Sequence, residues 1–242
     1  MRSSRQFRSF RSYPDAIPFG VKWLLISNIV VFFLSVLFPE RVIGYFHLDP
    51  DMVVHRFAIW QLVTYMFIHG GILHILFNML TLYWFGPDLE RTWGTPRFLK
   101  FYFICGVGAG ICFSIVELFS QVVHTTIGAS GAIYGILMAY GMLFPDRTIL
   151  FFFVIPMKVK HLVWLMGLMA LYFSVSGGNA GVANVAHLGG LAVGYVYMKT
   201  RFTRFDTGMF SRRYQQWKMQ RAKKKFQVYM RKHGGPGGTM LQ

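Results

Sequence analysis

The chain has 242 residues, of which 54% are hydrophobic and only 14% charged, yet it carries a formal net charge of +16. So apolar a composition excludes an ordinary soluble globule. The charge alone would suit nucleic acid, but its distribution along the chain argues for a membrane instead.

In chain order, a basic segment (Met1 to Arg11) leads into a first apolar run, Val21 to Phe38. No small-residue cleavage site follows that run, so it reads as an uncleaved anchor. Pro39 to His69 is amphipathic and rich in aromatics (Tyr45, Phe46, Phe57, Trp60, Tyr65, Phe67), which predicts short helices lying in the membrane interface and no independent domain. A second run, Ile72 to Phe85, is followed by Gly86-Pro87-Asp88-Leu89-Glu90-Arg91-Thr92-Trp93-Gly94, whose Gly and Pro punctuation predicts a turn that ends the span. Phe98 to Phe119 is the third run. Its Cys105 and Cys112 lie about 10 Å apart along a helix, beyond disulfide reach, and read as packing residues.

Ile127 to Phe144 is the fourth run, His161 to Val175 the fifth and Val182 to Met198 the sixth. Between the fourth and fifth, Phe151 to Ile155 is too short to span and reads as an interfacial stretch. Met166 and Met169 on the fifth run read as lipid and packing contacts. After Lys199 the tail interleaves aromatics with basic residues, the composition of a surface helix on anionic lipid or a solvated extension, and ends in a flexible Gly-rich stretch from Gly234 to Gly238. The expectation is an all-α, polytopic membrane protein, a six-transmembrane-helix bundle with an interfacial loop between spans one and two. Its divisions are a basic segment at 1–20, a core at 21–199 and a basic tail at 200–242.

Charge assigns sides. Of the 25 Lys and Arg residues, 5 precede or edge the first run, 12 follow from Lys199 onward, and Arg91, Arg97, Lys100, Arg147, Lys158 and Lys160 sit in loops on the same side of a six-span chain. The opposite side holds only Arg41 and Arg56, so both termini are expected in the cytoplasm, in a bacterial plasma membrane.

With that topology, spans two, four and six all begin at the outer face, and they bring four polar residues to one shallow depth. These are His74 and Asn78 on span two, Ser130 at the start of span four, and His187 on span six. Polar groups in hydrocarbon are costly unless used. His74 and Asn78 share a helix face at i, i+4, as do Ser130 and Tyr134. Gly131 and Gly135 form one small-residue seam, and Gly190 and Gly194 continue the face of His187, so spans four and six can approach until Ser130 Oγ reaches His187. That is the contact an activated serine nucleophile requires. Backbone N–H groups at the start of span four, with His74 and Asn78, could stabilise an oxyanion. With no Asp or Glu in the middle of a span, the residues imply a Ser-His dyad, with Tyr134 packing on the imidazole.

Taken singly, each feature has a plain packing explanation: Gly-x-Ser-Gly suits helix contact, Asn78 suits interhelical bonding, and His187 suits a bond to a carbonyl. Their shared depth is what points to a site. His47, His55, His69, His124 and His161 receive no role. His-Glu-x-x-His is lacking, the aspartates all lie outside the runs, and Ala132 breaks a Gly-x-Ser-x-Gly elbow, so zinc, aspartyl and soluble-hydrolase chemistry are set aside. No cofactor and no metal is expected.

On His74-Ile75-Leu76-Phe77-Asn78, Gly86-x-x-x-Glu90-x-x-x-Gly94, Gly128-x-Ser130-Gly131 and Ala186-His187 with Gly190, the chain resembles the rhomboid intramembrane serine proteases over residues 20 to 200. The resemblance implies Ser130 as nucleophile, His187 as base, His74 and Asn78 as oxyanion-stabilising groups, and Tyr134, Gly128 and Gly131 as active-site packing. It implies cleavage of transmembrane protein substrates near the outer face. Two positions depart from that family: Trp60-Gln61 stands where relatives often carry Trp-Arg, a pair that orders the outer loop, and Ala183 stands where many carry glycine. Beyond substrates, the partners expected are the bilayer, with anionic lipid at the basic tails, and no nucleic acid. The competing reading is a catalytically inactive client-binding or trafficking protein on the same scaffold.

Overall fold

A computed structural model of the chain describes residues 17–119, 124–151, 154–176 and 179–204. The basic stretches before and after these, the Gly-rich end and the side chain of Ala183 lie outside the described residues. The chain forms two compact units, residues 1–197 and 198–242. Of the second, only the final residues of the last helix, through Arg204, are described.

The fold is mainly helical. The elements in order are α1 (Phe19–Leu37), α2 (Pro39–Phe46), α3 (Pro50–His55), α4 (Gln61–Thr64), a 3-10 turn (Tyr65–Phe67), α5 (Ile72–Trp93), α6 (Thr95–Glu117), α7 (Ser130–Leu143), β1 (Thr148–Phe151), β2 (Ile155–Lys158), α8 (Val159–Val175) and α9 (Asn179–Arg204). The helices α1, α5, α6, α7, α8 and α9 fall on the six apolar runs. By length and apolarity α1 and α6 can each cross a membrane, and α4 with its 3-10 turn plus α5, bent by 97°, makes a third span if counted as one. Helices α7 and α8 are shorter apolar helices.

Helix α6 runs through the centre. Its Phe98, Phe101, Tyr102, Cys105, Ala109 and Phe113 are all 0% exposed, a stripe repeating every three to four residues. Outward, Phe33, Val36 and Leu37 of α1, Ile111 and Ile115 of α6, and Trp164 and Leu168 of α8 remain exposed. Apolar surface on both the inner and outer sides of a helix suits hydrocarbon surroundings, where only internally bonded backbone is tolerated.

Two expectations are corrected. The segment from Gly86 does not turn: α5 continues to Trp93 with Pro87 inside it, and the chain reverses only at Gly94, whose φ of +80° favours glycine. The cause is tertiary. Helix α1 starts after Pro18 with no capping side chain, and the Glu90 carboxylate accepts from Gly20 N (2.7 Å) and Val21 N (2.8 Å) in its place. A Cβ at Gly86 would lie 2.8 Å from Val21 Cγ2, so glycine there is what lets α1 seat against α5. Asp88 in the same turn accepts from Tyr140 Oη (2.8 Å) and pairs with Arg147, joining α5 to the end of α7.

The second correction concerns the stretch between α7 and α8, where the mainly helical chain includes a short hairpin. Residues flanking the expected interfacial stretch form an antiparallel hairpin, with Thr148 opposite Lys158 and Phe151 opposite Ile155. Thr, Ile and Phe suit a strand, and Pro156 is tolerated because a two-stranded ribbon has only edge strands. Asp146 receives Lys158 (3.3 Å) and Lys160 (2.9 Å), so its carboxyl sits below its usual range, first through Lys160.

Candidate active site

The segment leading to Ser130 is fixed by backbone pairing. Leu48 and Thr126 exchange two hydrogen bonds of 3.0 Å, and Gly128 N donates to Tyr65 O at 2.9 Å. Tyr65 is itself locked, its hydroxyl donating to Gly106 O at 2.7 Å. The short helices between α1 and α5 therefore hold the entry to α7. Gln61 contributes as well: it is 1% exposed, its Oε1 accepts from Asp49 N (3.0 Å), and its Nε2 donates to Tyr45 O (3.4 Å). Trp60 stacks on Tyr45 with ring centroids 5.3 Å apart. The Gln61 amide thus ties two backbone positions of that loop together.

Helix α7 begins at Ser130 with no capping side chain, so the first N–H groups of the helix have no intrahelical acceptor. Across from it, α9 approaches at backbone distance. A Cβ on Gly190 would overlap the carbonyl oxygen of Gly131, and one on Gly194 would lie 3.0 Å from Gly135 Cα. Gly131 in turn is pressed on Ala109 of α6. The two seams face each other as their spacing predicts.

That approach brings Ser130 Oγ within 2.7 Å of His187 Nε2, both side chains half-buried. Tyr134, one turn below Ser130, lies flat on the imidazole, with centroids 4.4 Å apart and planes 3° from parallel. Tyr134 also packs with Ala170 and Leu191 in a cluster joined by Met138, Val163, Met166 and Leu188, so Met166 is a core contact while Met169 stays exposed.

His74 arrives from the third residue of α5. Its Nδ1 accepts from Gly70 N at 3.3 Å, which leaves the proton on Nε2. Nε2 lies over Gly128: a Cβ there would be 2.7 Å from it and 3.7 Å from Ser130 Oγ. Gly128 has φ +121°, so both backbone and space demand glycine. Asn78 is buried, and its Nδ2 donates to His74 O at 3.0 Å, occupying one of the two amide N–H groups.

Two neighbours of the site had no role in the sequence reading. Asn184, one turn before His187, places its Oδ1 3.1 Å from His187 Nδ1. The i, i+3 spacing was the available signal. His69, given no role from sequence, is 2% exposed, sits edge-on to His74 at 5.0 Å and leaves Nε2 without a partner. Burial, then His74, pushes its pKa down to about 4. Nothing in its sequence surroundings distinguished it from the other loop histidines. Among the described residues no group of three or more His, Cys, Asp or Glu is arranged to hold a metal ion. The two cysteines are free.

The arrangement can polarise a serine hydroxyl and present hydrogen-bond donors beside it. A family model described as Rhomboid domain matches residues 56–204. Over 167 residues the chain is 34% identical to "RHOMBOID-like protein 1" of Arabidopsis thaliana, covering 69% of this chain and 40% of that protein. It is 36% identical over 149 residues to "RHOMBOID-like protein 4" of the same plant, covering 62% and 36%. It is 31% identical over 162 residues to "Putative rhomboid protease YdcA" of Bacillus subtilis (strain 168), covering 66% and 74%. The chain spans about two fifths of the length of the two plant relatives. A plant and a bacterium both supply relatives, so these likenesses do not assign the chain to one kind of cell.

Proposed function

The chain belongs to the rhomboid family, and from that premise we propose that this integral membrane protein is a serine endopeptidase cutting transmembrane protein substrates near the outer membrane face. The observation that carries the proposal is the 2.7 Å contact between Ser130 Oγ and His187 Nε2, residues 57 apart in sequence and on different helices. A hydroxyl donating to an imidazole whose other nitrogen has its own acceptor is the first half of an acyl-transfer mechanism.

In this mechanism Ser130 Oγ attacks the carbonyl carbon of the scissile peptide while its proton passes to His187 Nε2. The carbonyl oxygen takes the negative charge and is met by donors: the Nε2–H of His74, the second amide N–H of Asn78 and the free N–H groups opening α7. His187 then gives its proton to the leaving amine, and a serine ester remains. Water attacks the ester with His187 again as base, releasing the new carboxyl end and restoring Ser130. Tyr134 holds the ring in plane throughout, and Gly128 and Gly131 keep the space open.

The finer topology is part of the proposal. Six spans with both termini on the inner side would put the Ser130 and His187 helix starts toward the outer surface, where water can enter and a substrate helix can unwind to expose a peptide bond. The basic segments at either end would lie on anionic lipid.

The test compares the wild type with Ser130→Ala and His187→Ala on a tagged single-span substrate in liposomes, together with labelling by a fluorophosphonate. Each variant is expected to lose cleavage by at least ~10³-fold, and Ser130→Ala to lose the label. Equal cleavage by all three would end the protease reading, and an absence of Ser130-dependent label would favour a client-binding role.

A further inference from the structure

We infer that Asn184 is a positioning residue for His187, a neutral amide standing where soluble serine hydrolases use a carboxylate. The inference rests on the protease reading of Ser130 and His187. Its ground is a continuous chain of contacts, from Ser130 Oγ to His187 Nε2 at 2.7 Å and from His187 Nδ1 to Asn184 Oδ1 at 3.1 Å. An amide oxygen only accepts, so Nδ1 must carry the ring proton, and Nε2 is left with the lone pair that receives the serine hydroxyl. Without that acceptor both neutral tautomers compete, and one of them turns a second N–H toward Ser130 and cannot act as a base.

The geometry follows from the helix. Residues 184 and 187 of α9 are one turn apart on one face, and helical side chains lean toward the N-terminus, so His187 reaches back over Asn184. The other groups facing the imidazole do not substitute for it. Tyr134 stacks on the ring without accepting from it, and His74 on α5 has its Nδ1 taken by Gly70 N and its Nε2 over Gly128. Three carboxylates on the helices have other partners: Glu90 the start of α1, Glu117 His124, and Asp88 Tyr140 and Arg147. A neutral acceptor orients the ring without the desolvation cost that a carboxylate would add in an apolar bundle.

The experiment uses the full chain in liposomes, with Asn184→Leu and Asn184→Asp, a fluorophosphonate as the probe and nitrogen-15 histidine spectra to read the His187 tautomer. In the wild type His187 is expected as the Nδ1–H form. Asn184→Leu should mix the tautomers and slow Ser130 labelling roughly five- to tenfold, the range that one neutral hydrogen bond supports. Asn184→Asp should restore the Nδ1–H form and move the midpoint of the labelling pH profile upward, because a carboxylate beside the ring favours the protonated imidazole. A purely structural role would move neither the tautomer nor that midpoint. Wild-type tautomer and labelling rate in Asn184→Leu overturn the inference, as does an unmoved midpoint in Asn184→Asp, which decides the matter alone if the leucine variant does not fold. Absence of Ser130-dependent labelling in the wild type would instead sink the protease reading, and the tautomer spectra would still report on Asn184.

Discussion

At the scale of single residues, the site depends on positions where a side chain is forbidden as much as on those where one acts. Gly128 combines φ +121° with His74 Nε2 at 2.7 Å from where a Cβ would stand. Gly128→Ala should therefore cost about 1–2 kcal/mol of backbone strain and displace His74, slowing cleavage by at least ~10-fold. Cleavage at the wild-type rate, measured beside the melting temperature, would contradict this. His69 gives a pH signature. Its pKa falls from 6.5 to about 4 in the fold, through burial first and His74 second, so between those values the unfolded chain binds a proton that the folded chain does not. Stability contributed by neutral His69 is present above pH 6.5 and declines as pH falls toward about 4. The melting temperature of His69→Phe should change less over that window than the wild type's. Superimposable slopes would show that His69 titrates normally.

At the scale of elements, the decisive contact is α7 against α9. In hydrocarbon there is little hydrophobic drive between helices, so close backbone approach has to come from small residues. Gly131, Gly135, Gly190 and Gly194 supply it, and the serine to histidine distance is set by how near these backbones come. Gly190→Ala places a methyl against the Gly131 carbonyl and should cost about 1–3 kcal/mol while abolishing the Ser130 contact. The check is thermal melting in detergent with fluorophosphonate labelling; retained labelling would mean that α9 can shift without consequence. Helix α5 shows the complementary case. Its end looked like a turn because Gly and Pro usually are one, yet Glu90 is drawn into the helix by the uncapped start of α1. The hairpin between α7 and α8 escaped for a related reason: a five-residue apolar run has no period by which to tell a strand from an interfacial stretch.

At the scale of the whole molecule, composition and charge bear on the membrane and its sides. The proposed topology predicts that a membrane-impermeant maleimide applied outside cells reaches Arg56→Cys and leaves Lys100→Cys unmodified until the membrane is permeabilised. The reverse pattern would invert the molecule and put the Ser130 end on the inner side. Charge bias predicts orientation because loops rich in Lys and Arg are retained on the cytoplasmic face.

By itself the sequence determined that the chain is a mainly helical membrane protein, the six apolar runs on which helices lie, and the polar residues from which the proposed site is built. Hydropathy and helical period are local quantities, and Ser130, His187, His74 and the two glycine seams are legible from them. Only the tertiary structure decided how α5 ends, that Gln61 ties the outer loop, that His69 stands against His74, and that Asn184 faces the far nitrogen of His187. Each of these depends on which buried donor or acceptor lacks a partner once the helices are packed. A chain read one element at a time carries no account of that.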